Sequence, residues 1–162
     1  MLFLLKFLVV NMQQINSSQI PLIILCVDTN NISTNAIKTA CYEAQRQECH
    51  LQILSVIEAS HRNFIFGSKA ISGEKRRQIE NQLKFISEAF FVETAITPII
   101  SIREGDTLTE IISELKSSPN CITLILSKSY NTMSDNSLLP KLVGQIGNKI
   151  RVPVKIIPEI KQ

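Results

Sequence analysis

Few residues of this chain are equipped for chemistry. Four cysteines (Cys26, Cys41, Cys49, Cys121) and two histidines (His50, His61) are its soft nucleophiles and metal ligands. No two cysteines stand in the Cys-x-x-Cys spacing of a zinc or thiol–disulfide site. Cys26 lies inside an apolar run and Cys121 opens another, so both read as small core side chains. Four reduced thiols place the chain in the cytoplasm rather than among disulfide scaffolds. Neither histidine has a carboxylate or thiol partner in metal-site spacing, and no metal site is expected. Two polar turns that follow apolar runs offer more: Asp28-Thr29-Asn30 and Ser127-Lys128-Ser129. A carboxylate there can accept hydrogen bonds or act as a base, a lysine can steady an anion, and hydroxyls can do both jobs of a hydrogen bond. No nucleophile stands beside a positioned base, so the chain is read as a non-enzyme and no catalytic residue is assigned.

Those turns must be held by something rigid. Leu22 to Val27 is continuously apolar, opened by Pro21 and closed by Asp28. A run without polar alternation fits a strand buried on both faces, as in parallel sheets. Residues 31–34 supply N-cap chemistry for a helix whose stripe is Ala36, Ile37, Ala40, Cys41 and Ala44. A second strand is expected over His50 to Ile57, then a loop over Glu58 to Ser72 carrying Arg62, Phe64, Phe66 and Lys69. An amphipathic helix follows over Gly73 to Phe91, with Ile79, Leu83, Ile86 and Phe90 inward and the charge run at 74–77 solvated. Thr94 to Arg103 reads as an edge strand, because Pro98 cannot donate to a ladder. Thr107 and Glu110 have capping-box spacing for the next helix, lined by Leu108, Ile111, Ile112 and Leu115. Cys121 to Leu126 is a fourth, central strand. A last helix is expected over Leu138 to Ile150, with Leu139, Leu142, Val143 and Ile146 inward, weakened by about 1 kcal/mol at each of Gly144 and Gly147. Arg151 to Pro158 reads as a final edge strand, bracketed by prolines and interrupted by Lys155.

Five strands alternate with four helices in this reading, which predicts an α/β domain with a parallel sheet covered on both faces. If the first and fourth strands are neighbours, their carboxyl ends flank the switch point where open α/β sheets bind ligands. The 162 residues suffice for one such domain, over 20–160, with an N-terminal arm over 1–19. Met1 to Val10 is apolar apart from Lys6, too short to cross a membrane and without signal-peptide features. It reads as a loosely packed arm, a peripheral anchor or an artefact of start choice, Met12 being a second start. An ordered arm would need a surface to cover it. A net charge of +3, no Trp and two Tyr argue against nucleic acid as a partner.

From Ile20 to Pro158 the chain resembles the universal stress protein family. The resemblance rests on ILCVDTNNISTNAIKTACYEA, LSVIE, REGDTLTEII, TLILSKS and VPVKIIP, in that order and spacing. It implies a Rossmann-like (HUP-type) sheet of strand order 3-2-1-4-5 and homodimers paired through the last strand. ATP-binding members carry Gly-x-x-Gly-x9-Gly-(Ser/Thr) after the fourth strand, where glycines let backbone N–H groups approach phosphate. Here those positions hold Ser127, Tyr130, Pro140 and Lys141. Tyr130 adds bulk where the backbone must come close, and Pro140 removes a donor. One charge-assisted hydrogen bond is worth roughly 1.5–3 kcal/mol, so tight ATP binding of the usual kind is not expected. Asp28 and Val56 match the positions that contact ribose and adenine in the family. The resemblance therefore implies a cytoplasmic stress-response protein acting through protein partners or a small ligand, with no cofactor. The alternative is an ATP or AMP binder using a non-glycine loop, with Asp28, Val56, Ser127, Ser129 and Lys141 around the ligand. Asp28 also has a plainer reading, as a cap for the helix that follows.

Overall fold

The computed structural model describes residues 20–58, 68–127 and 138–158. The chain runs β1 (Leu22–Val27), α1 (Thr34–Gln47), β2 (His50–Glu58), α2 (Ser68–Thr94), β3 (Ile99–Gly105), α3 (Thr107–Ser117), β4 (Cys121–Ser127), α4 (Leu138–Val143) and β5 (Val154–Ile157). The sheet has the order β3-β2-β1-β4-β5, and every pair is parallel. β1 is the middle strand, each of its residues is buried, and it pairs with β2 on one side and β4 on the other. The expected order and the two edge strands are thus those observed.

Alternation along the strands sorts their side chains onto two faces. Ile23, Leu25 and Val27 of β1, with Leu51, Ile53 and Ile57 of β2, pack against the small stripe of α1 and against Ile79 and Leu83 of α2. Leu22, Ile24 and Cys26, with Leu54 and Val56, pack against Ile111 of α3 and Leu142 of α4. Alanines on α1 allow the helix to lie close to the sheet. Ser33 caps α1, its Oγ accepting from the Ala36 N–H at 3.2 Å, and Glu48 ends it in the left-handed conformation at φ 52°.

Several boundaries differ from the sequence reading, each for a local reason. α2 begins at Ser68, inside the segment read as a loop, and passes through Gly73, whose position is open to solvent. A single glycine costs a helix only about 1 kcal/mol, which the length of α2 absorbs. The charge run is not wholly solvated: Arg76 donates to the Ile102 carbonyl at 2.8 Å and to Glu104 at 3.1 Å, tying α2 to β3. Pro98 precedes β3 instead of lying within it. The cap of α3 is Asp106, not Thr107, with Oδ2 accepting from the Thr109 N–H at 2.9 Å. α4 stops at Val143, because Gly144 follows and Gly147 takes φ 84°; Val143 and Ile146 are consequently exposed. β5 keeps four residues between Pro153 and Pro158, and its Lys155 pairs with Glu43 of α1. The N-terminal arm and Arg62, Phe64 and Phe66 lie outside the described residues.

Candidate functional site

Because α1 follows β1 onto one face and α4 follows β4 onto the other, the chain diverges at the carboxyl ends of two neighbouring strands. A crevice at such a point is the usual ligand site of an open α/β sheet. The register sets Cys26 beside Leu126, so the ends of β1 and β4 are level, and Val27 lies opposite Ser55 of β2.

Asp28 stands at the end of β1. Its Oδ1 accepts from the Asn30 N–H at 2.9 Å and its carbonyl from the Asn31 N–H at 3.2 Å. The carboxylate thus closes the turn, while Ser33 caps the helix, so the capping reading of Asp28 is corrected. The second carboxylate oxygen remains for other donors. Val56 is buried on the face that α3 and α4 cover, one layer below the strand end. Ser127 ends β4 and is buried against its neighbours, pairing in register with Ile157 of β5. Lys141 is exposed on α4, and its charge acts on Asp106 at the start of α3. Hydrogen bonds from the Thr109 hydroxyl and then from its N–H hold the Asp106 carboxyl below the usual range, and Lys141 adds to the effect. Asp28, Val56 and Ser127 therefore belong to one edge of the sheet, and Lys141 faces the Asp106 part of it. Ser129, Lys128 and Tyr130 lie outside the described residues.

Glu58 was not singled out by sequence reasoning, yet it ends β2 at the same edge and accepts from the Thr107 hydroxyl at 2.9 Å. The signal was available: Glu58 terminates a buried run just as Asp28 does. Asp106, Thr107 and Glu58 form a polar rim beside the β1 turn.

The described residues give little means of nucleophilic chemistry. All four cysteines are buried as free thiols. Burial pushes Cys41 up to about 11 and raises Cys26, Cys49 and Cys121 as well. A thiol held protonated is a poor nucleophile. His50 begins β2, at the end of the sheet remote from the crevice. Among the described residues no group of three His, Cys, Asp or Glu side chains is placed to hold a metal, and no helix is long and apolar enough to cross a membrane.

By sequence, no family model and no curated protein matches the chain. Solved structures do. A universal stress protein family structure from Burkholderia pseudomallei superposes with a TM-score of 0.61 at 13% identity, over 88% of this chain and 98% of its own. A universal stress protein from Archaeoglobus fulgidus gives 0.58 at 13% identity, over 85% of this chain and 93% of its own. A universal stress protein in complex with cAMP gives 0.51 at 15% identity, over 86% and 98%. Strand order, parallel pairing and near-complete coverage of those chains agree: this chain has the fold of the universal stress proteins.

Proposed function

We propose that the chain is a member of the universal stress protein family that has exchanged the glycine phosphate loop for bulkier residues. It acts without catalysis, as a homodimer in the stress response, through a protein partner or a small ligand other than tightly held ATP. The observation that carries this reading is the set of residues at the loop signature. Pro140 stands in the first turn of α4, where it offers no N–H, and Ser127 and Lys141 replace a glycine and a hydroxyl residue. An apolar margin supports dimerisation through β5: Ile122 of β4 and Ile156 of β5 are exposed, and the outer side of β5 has no neighbouring strand among the described residues. Two such edges can pair about a two-fold axis.

A second reading is favoured by the relative solved with cAMP. In it the crevice still holds a nucleotide, with Asp28 on the ribose, Val56 against the base, and Ser127, Ser129 and Lys141 near the phosphates. Titration calorimetry of ATP with magnesium into the full chain, with Asp28→Ala as control, separates the two. No heat at millimolar ATP is expected. Micromolar binding that disappears in the Asp28→Ala chain would overturn the first reading in favour of the second.

A further inference from the structure

The margin of the sheet opposite β5 carries an apolar groove. Ile96, Pro98 and Ile100 on the approach to and start of β3, and Phe91 of α2, line about 490 Å3 together with the charged Glu80, Lys84 and Glu88 of α2. Beyond the rim α2 exposes Val92 at 91% and Phe85 at 76% of their surfaces. Helical spacing sets Phe91, Glu88, Val92 and Phe85 in succession around α2, so groove and outer side chains make one surface. Single exposed apolar residues are ordinary, whereas a continuous apolar surface marks a place where something binds.

Residues 1–10, MLFLLKFLVV, are nine apolar side chains and one charge, Lys6. The described chain begins at Ile20, whose carbonyl is fixed by the Asn120 side chain at 2.9 Å. β1 starts at the same end of the sheet as the groove, since Leu22 pairs with His50 and Ile99 with Gln52. β3 lies two strand spacings, roughly 10 Å, from β1. Residues 11–19 can reach roughly 30 Å when extended, enough to bring residues 1–10 onto the groove. The charges match as well. Glu80 is paired with Lys84 at 2.8 Å, while Glu88 has no ion pair among the described residues. We propose that Met1–Val10 of the same chain docks in the groove between α2 and β3, with Lys6 against Glu88. A short tether holds the segment at an effective concentration in the millimolar range, so weak individual contacts suffice. Neither the switch-point crevice nor the β5 edge takes part.

The absence of Trp from the chain supplies the test. In the full chain, Phe3→Trp introduces a single indole. Its emission is expected to be blue-shifted, and its quenching by acrylamide several-fold weaker, relative to a peptide of residues 1–19 bearing the same change. Both should be unaffected by dilution. Phe91→Ser with Val92→Ser should return the indole to the peptide's values while the circular dichroism and melting temperature report an intact fold. Glu88→Lys should loosen docking, and Lys6→Glu on that background should restore it. A solvated indole in the chain with its native groove overturns the proposal, as does shielding that persists in the double serine variant. Shielding lost on dilution together with a fall in mass would assign the groove to a second copy. Shielding that appears only with phosphatidylcholine vesicles would assign the segment to a lipid surface.

Discussion

The two faces of the sheet are built differently. On the face covered by α1 and α2, the sheet's buried side chains are apolar apart from Ser55 and Ser127, and the buried polar groups of α2 turn back on their own helix. Ser87 donates to the Leu83 carbonyl and Thr94 to that of Phe90. On the face covered by α3 and α4 a buried carboxylate spans three elements. Glu114 of α3 accepts from Gln52 of β2 at 2.7 Å and from Arg103 of β3 at 2.5 Å. The polar rim and Lys141 lie on this second face. One face therefore supplies most of the packing, and the other combines thinner packing with directional bonds that fix α3 beside the crevice.

Substitutions on each face sharpen the contrast. Leu25→Ala, in the more apolar face, should cost about 2–5 kcal/mol, because a close-packed site cannot collapse around the cavity. Chemical denaturation measures it directly. Glu114→Ala should cost about 1–3 kcal/mol by leaving Gln52 buried without its acceptor. Arg103 is nearly half exposed and regains water, which keeps the loss below that of a fully buried pair. A loss from Glu114→Ala as large as that from Leu25→Ala would remove the distinction between the faces.

Asp106→Ala should cost about 1 kcal/mol at neutral pH through loss of the cap on α3. The sign of its pH dependence follows from the depressed carboxyl of Asp106 in the folded chain. Its stabilisation is present above the unfolded value near 3.9 and is lost as pH falls through the lower folded value. Melting curves of the two chains should converge in acid, and a constant gap down to strongly acid pH would contradict the assignment. The smallest effect is expected at Ser55, whose buried Oγ has no hydrogen-bond partner among the described residues. Ser55→Ala should be neutral or stabilise by about 1 kcal/mol, since it removes an unsatisfied hydroxyl. A clear loss would mean that Ser55 has a partner in the native protein.

What the sequence made legible follows the same division. The apolar run of β1, the alanine stripe of α1 and the proline-bracketed β5 are local signals, and each element formed where its pattern placed it. Two misread boundaries turn on glycine, which the sequence reading sets at a helix start at Gly73 and inside a helix at Gly144 and Gly147. Gly73 sits inside a helix long enough to carry it, whereas Gly144 and Gly147 follow a helix of six residues and end it. The cap of α3 was shifted by one residue because Asp106 and Thr107 both have capping chemistry, and only tertiary contact with Glu58 engages Thr107 elsewhere. In the site, Asp28 and Ser127 were readable as strand ends, while Val56 followed only from the family resemblance. The Asp106–Lys141 and Glu58–Thr107 relations were not, since they join elements far apart in the chain.

The central position of β1 has a consequence for how the chain is made. Its ladder on one side is completed by β4, and the neighbouring Ile20–Asn120 bond already spans 100 residues. At a synthesis rate of about 5–20 residues per second, the β4-facing edge of β1 stands open for roughly 5–20 s before its partner leaves the ribosome. During that interval the most apolar strand of the protein is a template for pairing with other chains. Such distant parallel pairing is also intrinsically slow to form. The same strand that organises the finished domain is thus its main hazard during synthesis, and the yield of folded protein should depend on chaperones that cover β1 until β4 arrives.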